Sequence, residues 1–271
     1  MDTLALHTAS HAASRNPPIP NRVPQVTPDF WIVKLLAVTV GETAADYLNM
    51  ALGLGLAATS VIMSGFLIAA LVLQFAQRRY VPWVYWLTVV LISVVGTLIT
   101  DNLVDGLGVS LEAATLGFGA ALAATFSLWY LVEGTLSIHT IYSFRREAFY
   151  WLTILFTFAL GTAAGDLAAE GLGLGYLSAG LAYTAVIGAI ALAYFVFKIN
   201  GILAFWLAYI FTRPMGASFG DLVSQPTDAG GLGLGTTVTS LIFLFCIAAV
   251  IAFMTLTREG DEAGALRNAD R

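Results

Sequence analysis

Acidic residues recur at one register inside long apolar segments of this chain. The first two are Glu42 and Asp46, in the sequence Gly-Glu-Thr-Ala-Ala-Asp that begins at Gly41. A glycine followed five residues later by an aspartate occurs three more times, at Gly96/Asp101, Gly161/Asp166 and Gly216/Asp221. A charged side chain at the centre of a bilayer costs about 2.5–3.5 kcal/mol on insertion scales, so such carboxylates are functional by default. The pattern indicates a polar site inside a membrane protein.

Helix geometry predicts what these side chains could bind. The residue four positions before each Asp lies on the same helix face, one turn away, and these residues are Glu42, Thr97, Thr162 and Ala217. If the four helices surround a common axis, the carboxylates and hydroxyls point into one oxygen-rich cavity, which suits hard cations. The predicted cation or proton ligands are therefore Glu42, Asp46, Asp101, Asp166 and Asp221, supported by Thr97 and Thr162. Glu42 and Asp46 are the predicted metal ligands, because they form the only double-carboxylate turn.

One arginine also lies within a predicted membrane helix. Arg213 is close to the middle of its apolar segment and is followed by Pro214, which removes a backbone hydrogen bond and favours a kink. Arg213 is either a structural partner that neutralises one carboxylate or a tethered cation that competes with a mobile one. Both interpretations require a carboxylate neighbour, and the candidates are Asp221, Glu42 or another repeat's Asp.

Composition supports a membrane protein independently of these motifs. Hydrophobic residues make up 58% of the 271 residues and charged residues only 11%, whereas soluble domains are about one-quarter charged. The mean hydropathy is +0.83 and the isoelectric point is near 5.1, which argues against nucleic acid as a partner. The single Cys246 excludes a disulfide framework and a cysteine metal site. No cofactor is expected.

Eight apolar stretches have the length of about twenty residues that a helix needs to cross a bilayer. Their predicted limits are 30–50, 57–77, 83–103, 111–137, 148–168, 176–197, 202–222 and 236–256. Residues 1–29 are proline-rich and polar, which predicts a disordered cytoplasmic N-terminal arm. The membrane domain is predicted to span 30–257, and residues 258–271 form a short cytoplasmic tail.

The spacing of tryptophans reveals four repeats. Trp31 and Trp86 are 55 residues apart, Trp86 and Trp151 are 65 apart, and Trp151 and Trp206 are 55 apart. Each Trp precedes its motif glycine by ten residues, and a glycine-rich turn follows each Asp. We therefore predict an all-α polytopic membrane protein of eight transmembrane helices, arranged as four parallel helical hairpins over about 30–80, 83–145, 148–200 and 202–257. The tryptophans are interpreted as interfacial anchors. The glycines fit either close packing or substrate passage.

Basic residues predict the orientation. Apart from Arg213, they lie before or at the start of the first helix, or at or after the end of an even-numbered one, at Arg15, Arg22, Lys34, Arg78, Arg79, Arg145, Arg146, Lys198 and Arg258. The alternate loops lack Lys and Arg, so the positive-inside rule places both termini in the cytoplasm.

The motif resembles that of a known bacterial family. Gly41-Glu42-Thr43 followed by Asp46, together with the Trp-Gly-Asp spacing repeated to about residue 235, is similar to a family of four-repeat, uncharacterised membrane-anchored proteins. The resemblance implies an inner-membrane location and an eight-helix body. It implies no particular activity, substrate or catalytic residue.

The function predicted from these observations is transport of a small cation, such as a divalent metal, in exchange for protons. The predicted partner is the lipid bilayer around the helices. The carboxylates would bind the cation when ionised and accept protons when empty. The alternative is a scaffold or sensor in which the polar positions only fasten helices together. An intramembrane enzyme is a third interpretation, disfavoured because the chain has no HExxH helix and because its Gly-x-Ser-x-Gly match, at 216–220, lies inside a predicted apolar helix and not at a strand-to-helix elbow.

Overall fold

The structure is a computed structural model that describes residues 21–51 and 53–269. In that part of the chain the regular elements are all helical, which confirms the predicted all-α class. Eight long α-helices are described: α1 Pro28–Asp46, α2 Leu56–Ala76, α3 Pro82–Asp101, α4 Leu111–Glu133, α5 Phe144–Asp166, α6 Tyr176–Phe195, α7 Gly201–Ser224 and α8 Thr236–Ala269.

Seven of these helices, α2 to α8, are long and apolar enough to cross a membrane. The first helix is different because its 19 residues include four that carry charge, Asp29, Lys34, Glu42 and Asp46. Length and composition therefore support seven of the eight predicted spans directly.

The helix ends follow local sequence signals. The side chains of Thr27, Ser110, Ser143 and Asn200 each accept a hydrogen bond from a backbone N–H in the first turn of the helix that follows. Among the turns between helices, Gly55 and Gly175 have φ of +75°, a conformation that glycine adopts without the penalty of a side chain. The glycine-rich segments are thus the hairpin turns.

The odd-numbered helices form a closed ring in which α1 contacts α3, α3 contacts α5, α5 contacts α7, and α7 contacts α1. The even-numbered helices lie outside this ring, with α2 packed on α3, α4 on α5, α6 on α7, and α8 on α1. Each hairpin therefore gives one helix to the ring and places its second helix on the ring helix of the next repeat. In the apolar windows of α3, α5 and α7, at least 56% of residues are buried, against 22% or fewer in the outer helices.

The motif glycines hold the ring helices close together. A Cβ atom at Gly41 would lie 1.8 Å from Ser93 Oγ, and one at Gly96 would lie 2.7 Å from Phe158 Cβ. The same contact joins Gly161 to Arg213 and Gly216 to Val38, where the added Cβ would approach side-chain carbons to 2.1 and 2.4 Å. Each motif glycine thus leaves room for a residue of the next repeat around the ring, three positions before the motif glycine of that repeat. Of the two predicted roles for the motif glycines, this geometry supports close packing of the helices.

Aromatic side chains fill the ring at the end where its helices begin, called here the aromatic end. The residues directly before the four repeat tryptophans are Phe30, Tyr85, Tyr150 and Phe205, and all four are buried. Phe30 lies 5.5 Å from Trp86 and 6.0 Å from Phe205, measured between ring centroids.

The tryptophans belong to the same core. Trp86, Trp151 and Trp206 are at most 4% exposed. The interpretation as interfacial anchors is therefore wrong for these three, because they pack against neighbouring ring helices and not against lipid headgroups.

The segment before α1 contacts the helical body. Arg22 Nη1 lies 2.7 Å from Glu147 Oε2, and Asn21 Nδ2 donates to Ile138 O at 2.9 Å. Residues 1–20 of the predicted arm lie outside the described residues, as do the last two residues of the predicted tail. Helix α8 continues through the described part of that tail, to Ala269.

Candidate functional site

The opposite end of the ring, called here the acidic end, carries the residues that the motif predicted. Three of the four positions one turn before the aspartates meet inside the ring. Thr97 Oγ1 donates to Glu42 Oε2 at 3.3 Å, and the Thr97 and Thr162 hydroxyl oxygens are 3.3 Å apart. Helices α1, α3 and α5 thus each contribute one oxygen-bearing side chain to a single layer.

Arg213 enters this layer from α7. Its Nη2 lies 2.8 Å from Glu42 Oε2 and donates to Thr97 Oγ1 at 2.5 Å and to Thr162 Oγ1 at 2.7 Å. The side chain is fully buried. Of the candidate carboxylate neighbours, Arg213 pairs with Glu42, which lies on α1.

The space for Arg213 comes from the neighbouring helix. The missing side chain of Gly161 leaves room for the arginine Cβ and Cγ, and the guanidinium carbon lies 5.4 Å from the centroid of the Phe158 ring. Helix α7 continues through Pro214. The polar contacts of the guanidinium are all made by Nη2, whereas Nε and Nη1 are buried without a hydrogen-bond partner among the described residues.

Three carboxylates converge beside this layer. Oxygens of Glu42, Asp166 and Asp221 all lie within 4.8 Å of one another. They come from α1, α5 and α7, so the group exists only when the ring is closed. This three-carboxylate group could hold a metal ion.

Asp46 and Asp101 lie around this group but are not members of it. Both are within electrostatic range of Glu42, and Asp46 Oδ2 accepts a hydrogen bond from Gln225 Nε2 at 3.2 Å. The group that the described residues bring together is thus different from the predicted metal pair of Glu42 and Asp46. Residues four apart share a helix face, but the close approach here occurs between helices.

The five carboxylates differ in how far they are exposed to solvent. Glu42 is 5% exposed and Asp221 is 7% exposed, whereas Asp46, Asp101 and Asp166 are partly exposed. The aromatic core lies on the other side of the Glu42 layer. The carboxylates are therefore reached from the acidic end.

A wide π-helical turn follows the aspartate in three repeats. These turns are Tyr47–Ala51, Asn102–Gly106 and Leu167–Gly171. In the fourth repeat α7 stays α-helical to Ser224, and the next residue is Gln225, which bonds Asp46. Such π-helical turns are rare and frequently occur at functional sites. The sequence analysis did not predict them.

Lys34 is a second buried cation that the sequence analysis treated only as a topological signal. Its Nζ donates to Tyr209 O at 2.8 Å, contacts Thr212 Oγ1, and lies 4.2 Å from the centroid of the Tyr209 ring. No carboxylate pairs with it in the described part of the chain. Lys34 is three residues after Trp31, where the other repeats have Val89, Ile154 and Tyr209, so aligning the repeats could have identified it.

Comparisons with known proteins locate the same four units. Neither the curated proteins nor the solved structures contain a match to this chain. A family match covers residues 30–80, 84–135, 149–200 and 204–259, the four hairpins of the ring. The chain belongs to the family described as Repeat of Unknown Function (DUF347).

Proposed function

We propose that this protein is a multi-pass membrane transporter of a small cation, which the carboxylates of the acidic end bind in exchange for protons. The apolar outer helices are suited to lipid contact. Within this proposal the protein transports its substrate without chemical change and is not an enzyme.

The observation that carries the proposal is the convergence of Glu42, Asp166 and Asp221. Two ionised carboxylates 4.8 Å apart repel by about 3.5 kcal/mol at an effective dielectric constant of 20. Arg213 forms an ion pair with Glu42 and is within electrostatic range of Asp166, so its single charge offsets only part of the three negative charges. A bound cation or bound protons would remove the remaining repulsion, so the two occupants compete for one site.

The two ends of the ring differ in how closed they are. The acidic end holds partly exposed aspartates, whereas tilted and edge-on aromatic rings fill the aromatic end. Transport in this arrangement requires the aromatic layer to open while the carboxylates are occupied. The contacts between its rings are the ones that must separate.

A non-transport role as a membrane scaffold or sensor is the second candidate. The tightly packed aromatic end favours it, because a layer of contacting rings stabilises a ring of helices without any need to open. In that case the carboxylates would bind a cation without releasing it to the other side.

The orientation of the protein is a further part of the proposal. Arg78, Arg79 and Lys198 follow outer helices at the aromatic end, so we place that end and both termini in the cytoplasm of a bacterial inner membrane. Reporter fusions after Arg79 and Lys198 should report cytoplasm, and a fusion at Asp228 should report the exterior. A cytoplasmic signal at Asp228 would overturn the orientation.

Flux through the purified protein in liposomes tests transport. Wild type should move a cation with a counterflow of protons, and Asp221→Asn or Asp166→Asn should abolish that flux, because the amide keeps the volume of the side chain but removes the charge of one member of the three-carboxylate group. Asp228→Asn is the matched control, since Asp228 is an exposed carboxylate at the same end. Equal flux in these two variants and in wild type at matched reconstitution would leave the scaffold or sensor role ahead.

A further inference from the structure

We infer that Glu42, Asp166 and Asp221 form a site for one divalent cation of about the size of Ca²⁺, beside a fixed arginine, Arg213. The inference rests on the proposed function for its role, because it names the class of substrate that the carboxylates take. It goes further in assigning the ligands, the valence and the preferred size of the ion.

The state of Asp221 points to a missing ligand. The residue is 93% buried, by its exposed fraction of 7%, yet its carboxylate has no hydrogen-bond donor and no ion-pair partner among residues 21–51 and 53–269. It is directed at two other carboxylates. Buried carboxylates in proteins are normally paired or coordinate a metal. A cation between the three groups would supply the partner that Asp221 lacks.

Glu42 is arranged so that one oxygen remains for a ligand. Both Arg213 and Thr97 contact Oε2, and no described residue donates a hydrogen bond to Oε1. Nη2 of the guanidinium donates to Thr97 and Thr162, and the missing side chain of Gly161 leaves room for the arginine Cβ and Cγ. Arg213 is therefore a positioning residue, and the cation can bind Glu42 without displacing it.

The charges and the donor atoms select the class of ion. Three ionised carboxylates and one guanidinium carry a net charge of −2, which a single divalent cation neutralises. The ligands are all oxygens, and His and Cys are absent from this group. Oxygen-only sites suit hard cations such as Ca²⁺, Mg²⁺ and Mn²⁺.

The spacing of the oxygens favours the larger of these ions. For three oxygens that all lie within 4.8 Å of one another, there is a point no more than about 2.8 Å from each, and Ca²⁺–O distances are about 2.3–2.6 Å. Small inward rotations of the side chains reach that range. Mg²⁺ needs about 2.0–2.1 Å and a near-ideal octahedron, which three oxygens from three separate helices supply less readily.

Calcium binding to the purified full-length protein in detergent tests the site. Ca²⁺ should raise the melting temperature of wild type and should bind more tightly than Mg²⁺, Na⁺ or K⁺. Asp221→Asn should weaken Ca²⁺ binding by at least about tenfold, since the number of charged ligands sets affinity in such sites. Asp166→Asn should do the same, and it serves as the second variant if Asp221→Asn does not fold. Asp228→Asn should bind Ca²⁺ as wild type does.

The possible results separate this inference from the proposed function. Unchanged Ca²⁺ affinity in a folded Asp221→Asn or Asp166→Asn, or tighter binding of Mg²⁺ or K⁺ than of Ca²⁺, overturns the inference. Cation flux without any Ca²⁺ binding also overturns it but leaves the transport proposal standing. Ca²⁺ binding that depends on Asp221, in a protein that moves no cation in liposomes, supports the site and overturns transport.

Discussion

Gly161→Ala tests whether the glycine contacts hold the ring together and position Arg213. The added methyl group would lie 2.1 Å from Arg213 Cγ and 2.5 Å from its Cβ. Real Cβ contacts are essentially never shorter than 3.0 Å. The methyl group therefore displaces the arginine side chain, whose Nη2 contacts Glu42, Thr97 and Thr162. Either α5 and α7 move apart, or the guanidinium loses its contact with Glu42.

The expected decrease in the free energy of unfolding follows from these two responses. Overpacking by one methyl group typically costs about 1–3 kcal/mol. Loss of one partner from a buried ion pair costs about 3–5 kcal/mol. Because the clash falls on the side chain that carries the 2.8 Å contact to Glu42, we expect Gly161→Ala to lower the free energy of unfolding by about 3–5 kcal/mol.

Two alanine variants are matched controls. Gly188→Ala adds the same methyl group to α6, where no atom lies within 4 Å, so it should be neutral or should stabilise by up to about 1 kcal/mol through helix propensity. Gly216→Ala meets Val38 Cγ1 at 2.4 Å and should cost only the overpacking share, about 1–3 kcal/mol.

Reversible unfolding in mixed detergent micelles, followed by tryptophan fluorescence, measures these differences. A Gly161→Ala protein as stable as Gly188→Ala would refute the role of the glycine contact. Equal losses in Gly161→Ala and Gly216→Ala would show that the contact is steric and that the ion pair survives.

Two further predictions use the same unfolding measurement. Arg213→Gln should cost about 3–5 kcal/mol because it leaves the Glu42 carboxylate buried without its cation, and adding Glu42→Gln should recover most of the loss; an equally unstable double variant would contradict this. Tyr85→Phe should cost about 1–3 kcal/mol, because the Tyr150 hydroxyl loses its 2.5 Å partner. Tyr85→Phe with Tyr150→Phe should then cost less than the sum of the single variants, and additive losses would argue against the hydroxyl pair.

The four hairpins could be predicted because the repeat is visible in the spacing of residues along the sequence. The interval between Trp31 and Trp86 recurs between Trp151 and Trp206, and apolar stretches of membrane length lie between the glycine-rich turns. These features need no knowledge of which helices are neighbours. The family match covers the same four units.

The partners inside the ring could not be predicted in the same way. A helical face at positions i and i+4 shows that Glu42 and Asp46 point in similar directions, but which carboxylates meet depends on helices far away in sequence. Asp166 and Asp221 reach Glu42 because the fourth repeat packs back against the first.

The tryptophans illustrate a second limit of the sequence. An aromatic ring near a helix end has the same local pattern whether it lies in a lipid interface or in a protein core. Only the ring of neighbouring helices decides between the two, and it buries Trp86 completely.

Closure of the ring has a consequence for how the protein is made. Lys34 and Glu42 make α1 too polar to partition readily into lipid by itself, and the partners of both lie on α7, at Tyr209, Thr212 and Arg213. During synthesis α1 leaves the ribosome long before α7 has been made. Until then its charged side chains lack their partners, so we expect them to stay in contact with water or with an insertion factor. We therefore expect α1, the first of these helices to be synthesised, to become stably integrated only after α7 has been made.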